Sequence, residues 1–225
     1  MTQEKPEEKK ILPADIRWNK EGLIPVIVQE VETQEVLMLA YMNEEALKLT
    51  IQEGRAWYYS RSRQALWLKG ETSGNYQEVV DMRFDCDRDT ILLKVKQKGV
   101  ACHEDFYSCF HYGWTGEEYL TLGRPNEIVQ PSLGRTLELL AQVIHSRKIE
   151  RPDGAYTTYL FDKGIDKILK KVGEECAETI IAAKNSSKEE LRYEVSDLFY
   201  HLLVMLEEQG VSPGEIAQEL LARRK

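Results

Sequence analysis

Two stretches in the second half of the chain carry acidic side chains at spacings that could hold a metal ion. One is Gly173-Glu174-Glu175-Cys176-Ala177-Glu178, the other Glu194-Val195-Ser196-Asp197. On a helix turning about 100° per residue, Glu174, Glu175 and Glu178 fall within an arc of roughly 100°. They flank an apolar stripe of Ile165, Ile168, Leu169, Val172 and Ile180. On a second helix, Glu194 and Asp197 lie about 60° apart, beside Leu191, Leu198, Phe199, Leu202 and Leu206. A turn at Asn185-Ser186-Ser187 lets the two stripes pack and the five carboxylates converge. Such a cluster repels itself unless cations neutralise it, and all-oxygen donors suit Mg²⁺ or Mn²⁺. That ion would bind phosphate oxygens and help activate a water. The competing reading is a solvated acidic face, which one Glu-Glu-x-x-Glu stretch favours and a matched pair of clusters disfavours.

A second constellation lies upstream. Asp85-Cys86-Asp87-Arg88-Asp89 alternates at strand period, which predicts the three carboxylates on one face and the thiol on the other. Cys102-His103 and Cys109-Phe110-His111 follow. Three thiolates favour Zn²⁺, which keeps three protein ligands and a water when catalytic and closes with four when structural. His103 or His111 is then a fourth ligand or a general base, and spacing alone does not decide. The blander readings are unrelated free thiols and a charged turn. Before these, Tyr58-Tyr59-Ser60-Arg61-Ser62-Arg63 and Leu66-Trp67-Leu68-Lys69-Gly70-Glu71-Thr72-Ser73-Gly74-Asn75 gather cations, hydroxyls and glycines in an acidic chain. Guanidinium forks and backbone N–H groups of that kind cradle phosphate, although a polar hairpin has the same composition. Cys176 reads as a small buried hydrophobe on its helix.

The elements that must position these groups change character near the middle. From Leu23 to about Val100 the apolar pattern is strand-like. Ile24 to Val28 and Val36 to Leu39 predict a hairpin, and Asn43 and Gly54 bracket a short helix. Further strands are predicted over Ala56 to Tyr59, Leu66 to Leu68, Gln77 to Phe84 and Thr90 to Lys96. Thr115 to Pro131 reads as a linker. Ser132 caps the first of four helical patterns, with capping boxes at Ser187/Glu190 and Ser212/Glu215 and helix ends at Asn185 and Gly210. The prediction is two domains: a β-rich α+β domain over 1–132, including an N-terminal arm and the linker, and an all-α helical bundle over 133–225.

The 225 residues carry a net charge of −8 and are 42% hydrophobic, which fits globular cores and argues against generic nucleic-acid or anionic-membrane binding. No apolar run approaches the roughly 20 residues of a membrane span. Met1 to Lys10 is charged and reads as a disordered arm and not a signal peptide, so the expected compartment is the cytoplasm. In that reducing compartment the four cysteines are not expected to form structural disulfides.

Two resemblances rest on these motifs. Tyr-Ser-Arg-Ser-Arg, Trp-x-Lys-Gly-Glu-Thr-Ser-Gly-Asn, Asp-Cys-Asp-x-Asp and Ala-Cys-His, between about Gly22 and His111, closely resemble phosphoribosyl-AMP cyclohydrolase. The resemblance implies zinc ligands at Cys86, Cys102 and Cys109 and magnesium ligands at Asp85, Asp87 and Asp89. It implies a homodimer with zinc at the subunit interface, held by cysteines of both chains. It also implies hydrolytic opening of the adenine ring, by metal-activated water, at a C6 made electrophilic by the ribose phosphate on N1. His103 or His111 would shuttle protons, and Arg61, Arg63, Trp67, Lys69, Gly70, Thr72, Ser73 and Asn75 would bind substrate. From Leu133 onward, Asp153-Gly154-Ala155-Tyr156-Thr157-Thr158, Lys163-Gly164-Ile165-Asp166-Lys167-Ile168 and Lys170-Lys171-Val172-Gly173-Glu174-Glu175 resemble phosphoribosyl-ATP pyrophosphatase, with Ala155 where serine is expected. This implies cleavage between the α and β phosphates by a Mg²⁺ site of Glu174, Glu175, Glu178, Glu194 and Asp197. By charge and position, and not by motif, Lys167, Lys170 or Lys171, and less strongly Arg135, are the candidates to pair with substrate phosphates. Together the resemblances imply the second and third steps of histidine biosynthesis on phosphoribosyl nucleotides, the second domain acting first. The alternatives are a nucleotide-pool pyrophosphohydrolase with a regulatory zinc domain, and a zinc-stapled binding module.

Overall fold

The computed structural model describes residues 12–13 and 15–224, so the charged arm expected over Met1 to Lys10 lies outside the described residues. The chain divides into two compact units, one ending at Pro131 and the next beginning at Ser132.

In the first unit, β1 (Ile24–Glu30) and β2 (Val36–Met42) pair antiparallel, with Ile24 opposite Met42. The buried Glu30 carboxylate closes their turn by accepting the N–H groups of Glu32 and Thr33 at 2.7 and 2.6 Å. Helix α1 (Glu44–Glu53) starts where the Asn43 side chain accepts the Ala46 N–H and stops at the left-handed Gly54. β3 (Trp57–Ser60) and β4 (Ala65–Leu68) form a separate ribbon. β5 (Gln77–Phe84) pairs antiparallel with β6 (Ile91–Gln97), and β6 runs parallel to β1, giving the sheet order β2-β1-β6-β5. The strand period is visible in burial: Ile24, Val26 and Val28, and Ile91, Leu93 and Val95, are all inaccessible and pack with Met42, Leu47 and Tyr58. The Tyr58 hydroxyl, buried there, donates to Gln77 Oε1 at 2.6 Å.

Two expectations are corrected in this unit. Asp85 to Asp89 is not a strand. β5 ends at Phe84 and the segment is the turn into β6, with Arg88 at φ 62°. The expected linker is partly ordered: β7 (Tyr112–Trp114) and β8 (Tyr119–Thr121) form a small antiparallel hairpin carried by exposed aromatic side chains.

The second unit is all helical: α2 (Leu133–Glu150), α3 (Tyr156–Lys163), α4 (Ile165–Lys184), α5 (Lys188–Gln209) and α6 (Pro213–Ala222). Ser132, Ser187 and Ser212 all cap their helices; Ser212 and Glu215 form the complete capping box expected, whereas at Ser187 only the serine side chain takes part, accepting the Glu190 N–H. Among the described residues this unit has five helices where the sequence pattern predicts four, because Gly164 (φ 76°) splits one apolar run into α3 and α4. A core of Ile144, Leu160, Phe161, Ile168, Leu203 and Val204 joins α2 to α5. The inward face of α4 runs through Ile168, Glu175 and Ala182. It is therefore rotated from the expected stripe: Leu169 is 47% and Ile180 69% exposed, and Cys176 is exposed and not buried. The same rotation places the Glu175 carboxylate on the buried face instead of beside it. No helix among the described residues is long and apolar enough to cross a membrane.

Candidate active sites

After β6, the chain folds back to bring Cys102, Glu104 and His111 together, their ligand atoms within 4.8 Å of one another. Cys102 and His111 are buried. The imidazole of His111 stacks on Phe106 with centroids 3.9 Å apart and planes 4° from parallel. Its Nδ1 lies 3.0 Å from the Ser108 carbonyl oxygen and its Nε2 2.9 Å from Glu104 Oε2. The ring is thus clamped on its face and at both nitrogens. His103 Nδ1 is 3.9 Å from Cys102 Sγ. Desolvation and the neighbouring Cys102 push the Cys109 thiol up to about 12. A thiol in that position becomes a thiolate at neutral pH when a cation compensates the charge, and paired sulfur donors with imidazole nearby are a zinc-type donor set.

Cys86 is not part of this group. It sits exposed in the β5–β6 turn, flanked by Asp85 and Asp87. In that turn the oxygens of Asp85, Asp87 and Asp89 lie within 4.8 Å of one another, all three residues exposed. The carboxylates converge because the turn is tight: Asp85 Oδ1 accepts the N–H groups of Asp89 and Thr90 at 3.0 and 3.2 Å. Desolvation opposes ionisation of Asp85, but these backbone donors hold its carboxyl below the ordinary range.

The expected substrate segment splits into two places. Lys69 is buried and donates to the Asn75 carbonyl oxygen at 3.4 Å. Desolvation lowers its pKa while the nearby Cys109 and Cys102 act in the opposite direction, so Lys69 lies close to the two thiols. Gly70, at φ +87°, makes this possible: a Cβ there would meet the Asn75 and Tyr76 backbone at 2.6 Å. Asn75 in turn presses Oδ1 against Gly99, and Ser73 Oγ accepts the Asn75 N–H at 3.2 Å. Thr72 and Ser73 lie in the turns that close this loop. Trp67 packs on Tyr58 with centroids 5.1 Å apart. Arg61 caps the Tyr41 ring at 4.0 Å and lines a cleft of about 780 Å³ with Glu21, Leu23, Tyr59, Ser62 and Gln64. Arg63 donates instead to Ser60 Oγ at 3.3 Å.

In the helical unit all five expected carboxylates meet. Glu174, Glu175 and Glu178 form one group within 4.8 Å, and Glu175, Glu194 and Asp197 form a second, so Glu175 is common to both. Glu175 is 3% exposed. Lys171 Nζ lies 2.9 Å from Glu174 Oε1 and 2.9 Å from Glu175 Oε1. Hydrogen bonding to Lys171 holds Glu174 below the ordinary carboxylate range. Among the described residues Glu194 has no such cation: desolvation, then Glu178, Glu175 and Asp197, push its carboxyl up. An acid that shares a site with other acids and lacks a cation is the donor chemistry a divalent ion completes. Lys167 lies farther out, its ammonium 5.9 Å from the Tyr159 ring centroid.

Two participants escaped sequence reasoning. Glu104 reaches His111 across seven residues, a pairing no local spacing signals. His201 is buried, with Nδ1 2.9 Å from the Asp197 carbonyl oxygen and 3.6 Å from Glu175 Oε1, and Nε2 3.1 Å from the Tyr156 hydroxyl. Its position four residues after Asp197, on the same helical face, was the available signal.

Comparison with known proteins follows this division. A family model described as Phosphoribosyl-AMP cyclohydrolase matches residues 38–111, and one described as Phosphoribosyl-ATP pyrophosphohydrolase matches residues 137–224. The chain is 50% identical over 210 residues to the "Histidine biosynthesis bifunctional protein HisIE" of Bacillus subtilis, covering 93% of this chain and 95% of that protein. Proteins of the same name from Halalkalibacterium halodurans and Pyrococcus furiosus are 49% and 46% identical, covering 94% and 93% of this chain and 96% of each relative. The chain therefore belongs to the bifunctional histidine-biosynthesis proteins, in which a phosphoribosyl-AMP cyclohydrolase is fused to a phosphoribosyl-ATP pyrophosphohydrolase.

Proposed function

We propose that the helical unit hydrolyses phosphoribosyl-ATP to phosphoribosyl-AMP and pyrophosphate, and that the β-rich unit then opens the adenine ring of that product between N1 and C6. The observation that carries this reading is that each family match falls in one compact unit, and each unit has its own donor set.

In the helical unit, Glu174, Glu175, Glu178, Glu194 and Asp197 would hold magnesium, which when bound neutralises the triphosphate and favours attack of water on the α phosphorus. Glu175 is the shared ligand, kept in place by its burial and by Lys171. Lys171 is placed to turn from the acids to a phosphate of the substrate.

In the β-rich unit, Cys102 and Cys109 would hold zinc, which when bound supplies an activated water near neutral pH. His111 is oriented by Phe106 and Ser108 to move a proton at Nε2, with Glu104 as its partner. His103 stands beside Cys102 as a second proton carrier. Lys69 brings positive charge to the same site. Asp85, Asp87 and Asp89 would bind magnesium, and Arg61, with its cleft, a substrate phosphate. The third thiol, Cys86, would come from a second copy of the chain, so that zinc sits at the interface of a homodimer; Cys109 hydrogen-bonds to Cys102 within one chain, whereas Cys86 lies in the separate β5–β6 turn, which supports this. The cytoplasm is the compartment where such thiols stay reduced.

Mixing tests the shared site. Cys86→Ala and Cys102→Ala chains, each inactive on phosphoribosyl-AMP, should recover ring-opening activity when unfolded and refolded together, because a heterodimer keeps one intact zinc site. Mixtures as inactive as the separate variants would refute the shared site.

A further inference from the structure

Helix α3 carries an aromatic shelf beside the acid cluster. Its inward residues, Thr157, Leu160 and Phe161, are buried, whereas Tyr156 and Tyr159 remain 47% and 42% exposed. Their rings lie 6.2 Å apart with planes 25° from parallel, and Tyr200 makes a contact of the same geometry with Tyr156. The shelf stands beside the acids. The Tyr156 hydroxyl is 3.1 Å from His201 Nε2, and His201 Nδ1 is 3.6 Å from Glu175 Oε1. At its outer edge the ammonium groups of Lys163 and Lys167 each lie 5.9 Å from the Tyr159 centroid. Lys167, Lys171, Glu174, Glu175 and Glu178 follow a spacing that keeps them on one face of α4. The face therefore runs from an aromatic surface with free cations, through Lys171, to the carboxylates.

The core does not need this arrangement, since the buried residues of α3 already supply its packing. A half-open tyrosine pair offers a purine a stacking surface. Phosphoribosyl-ATP differs from ATP by one group, a phosphorylated ribose on N1 that adds a dianion at the edge of the base. Its triphosphate is committed to the carboxylate site, its metal and Lys171. A second dianion beside the base needs cations beside the base platform. Among the described residues Lys163 and Lys167 stand there without an ion pair, while Lys171 is engaged with Glu174 and Glu175. We propose that Tyr156 and Tyr159 receive the adenine and that Lys163 and Lys167 bind the phosphate of the N1-linked ribose, so that this edge distinguishes phosphoribosyl-ATP from ATP. The inference rests on the assignment of phosphoribosyl-ATP hydrolysis to the helical unit.

The test uses the full chain and three readouts: steady-state cleavage of phosphoribosyl-ATP, inhibition by ATP, and Mn²⁺ affinity by electron paramagnetic resonance. A Lys163→Gln/Lys167→Gln variant should raise KM for phosphoribosyl-ATP by roughly tenfold, as loss of charge-assisted bonds to a phosphate implies. It should leave the inhibition constant of ATP unchanged and should not weaken Mn²⁺ binding. Tyr159→Leu should weaken phosphoribosyl-ATP and ATP together, by roughly tenfold or more, and Tyr159→Phe should weaken neither. Equal weakening of both nucleotides by the double lysine variant, an unchanged KM in that variant, or an unaffected Tyr159→Leu enzyme would overturn the proposal. A parent protein that leaves phosphoribosyl-ATP intact would instead overturn the assignment beneath it.

Discussion

Lys171 is the counter-ion of the helical site in the metal-free protein, and replacing it tests the electrostatics of that site. Lys171→Met removes the ammonium and keeps most of the apolar stem. The cost follows from exposure. The side chains of Lys171 and Glu175 are 18% and 4% exposed, whereas that of Glu174 is 44% exposed. Stripping one partner from a buried ion pair costs about 3–5 kcal/mol, and from an exposed one at most about 1 kcal/mol. This half-open arrangement falls between, at about 2–3 kcal/mol, nearly all of it from Glu175 left buried without its cation. His201 Nδ1, 3.6 Å from Glu175 Oε1, is too distant to replace the lost bond. For a unit of this size such a loss lowers the melting temperature by roughly 10 °C. Magnesium would restore the missing positive charge, so the deficit should shrink when the ion is present. The assay is thermal unfolding of the full chain, followed by helical circular dichroism, in chelator and in saturating Mg²⁺. An equal loss in both conditions, or none in chelator, would refute the reasoning.

Three further outcomes follow from the same geometry. The Glu194 carboxyl is raised in the folded protein by desolvation and by Glu178, Glu175 and Asp197. The folded state then binds this proton more tightly than the unfolded one, and the group's contribution to metal-free stability falls as pH rises above the ordinary Glu range; Glu194→Gln should flatten that part of a stability–pH profile measured by urea unfolding. Gly70→Ala places a Cβ 2.6 Å from the Asn75 and Tyr76 backbone at φ +87°, a strain above about 2 kcal/mol, and should slow opening of phosphoribosyl-AMP while phosphoribosyl-ATP is still cleaved. Asp85→Asn keeps an oxygen to accept the Asp89 and Thr90 N–H groups, so calorimetry should find weaker Mg²⁺ binding with the melting temperature in chelator unchanged.

Much of this was legible in the chain because local chemistry sets it. Asn43, Gly54, Ser132, Ser187, Ser212 and Gly210 end or begin helices by hydrogen bonding within one turn, and the alternation around Ile24 and Ile91 encodes the sheet face directly. The misreadings come from patterns with two physical solutions. Alternating Asp85, Asp87 and Asp89 suits one strand face, but a tight turn with Arg88 left-handed also gathers the three carboxylates. On α4 the apolar residues surround enough of the helix that the buried face is chosen by what α5 presents, and α5 presents Asp197 and His201. Glu175 is buried there, and Ile180 is left outside. The pairing of Glu104 with His111 and the separation of Cys86 from Cys102 depend on how loops close in space, which no spacing along the chain records.

The central claim is that two metal-dependent sites in one chain carry out consecutive hydrolyses, one in each unit. Its most direct test gives phosphoribosyl-ATP, Mg²⁺ and Zn²⁺ to the parent protein and to Cys102→Ala and Glu178→Ala variants, and identifies the products by mass spectrometry. The parent should release pyrophosphate and a ring-opened nucleotide, Cys102→Ala should stop at phosphoribosyl-AMP, and Glu178→Ala should leave phosphoribosyl-ATP uncut yet still open added phosphoribosyl-AMP. A Cys102→Ala protein that still opens the ring, or a Glu178→Ala protein that still cleaves phosphoribosyl-ATP at the parental rate, would contradict the account.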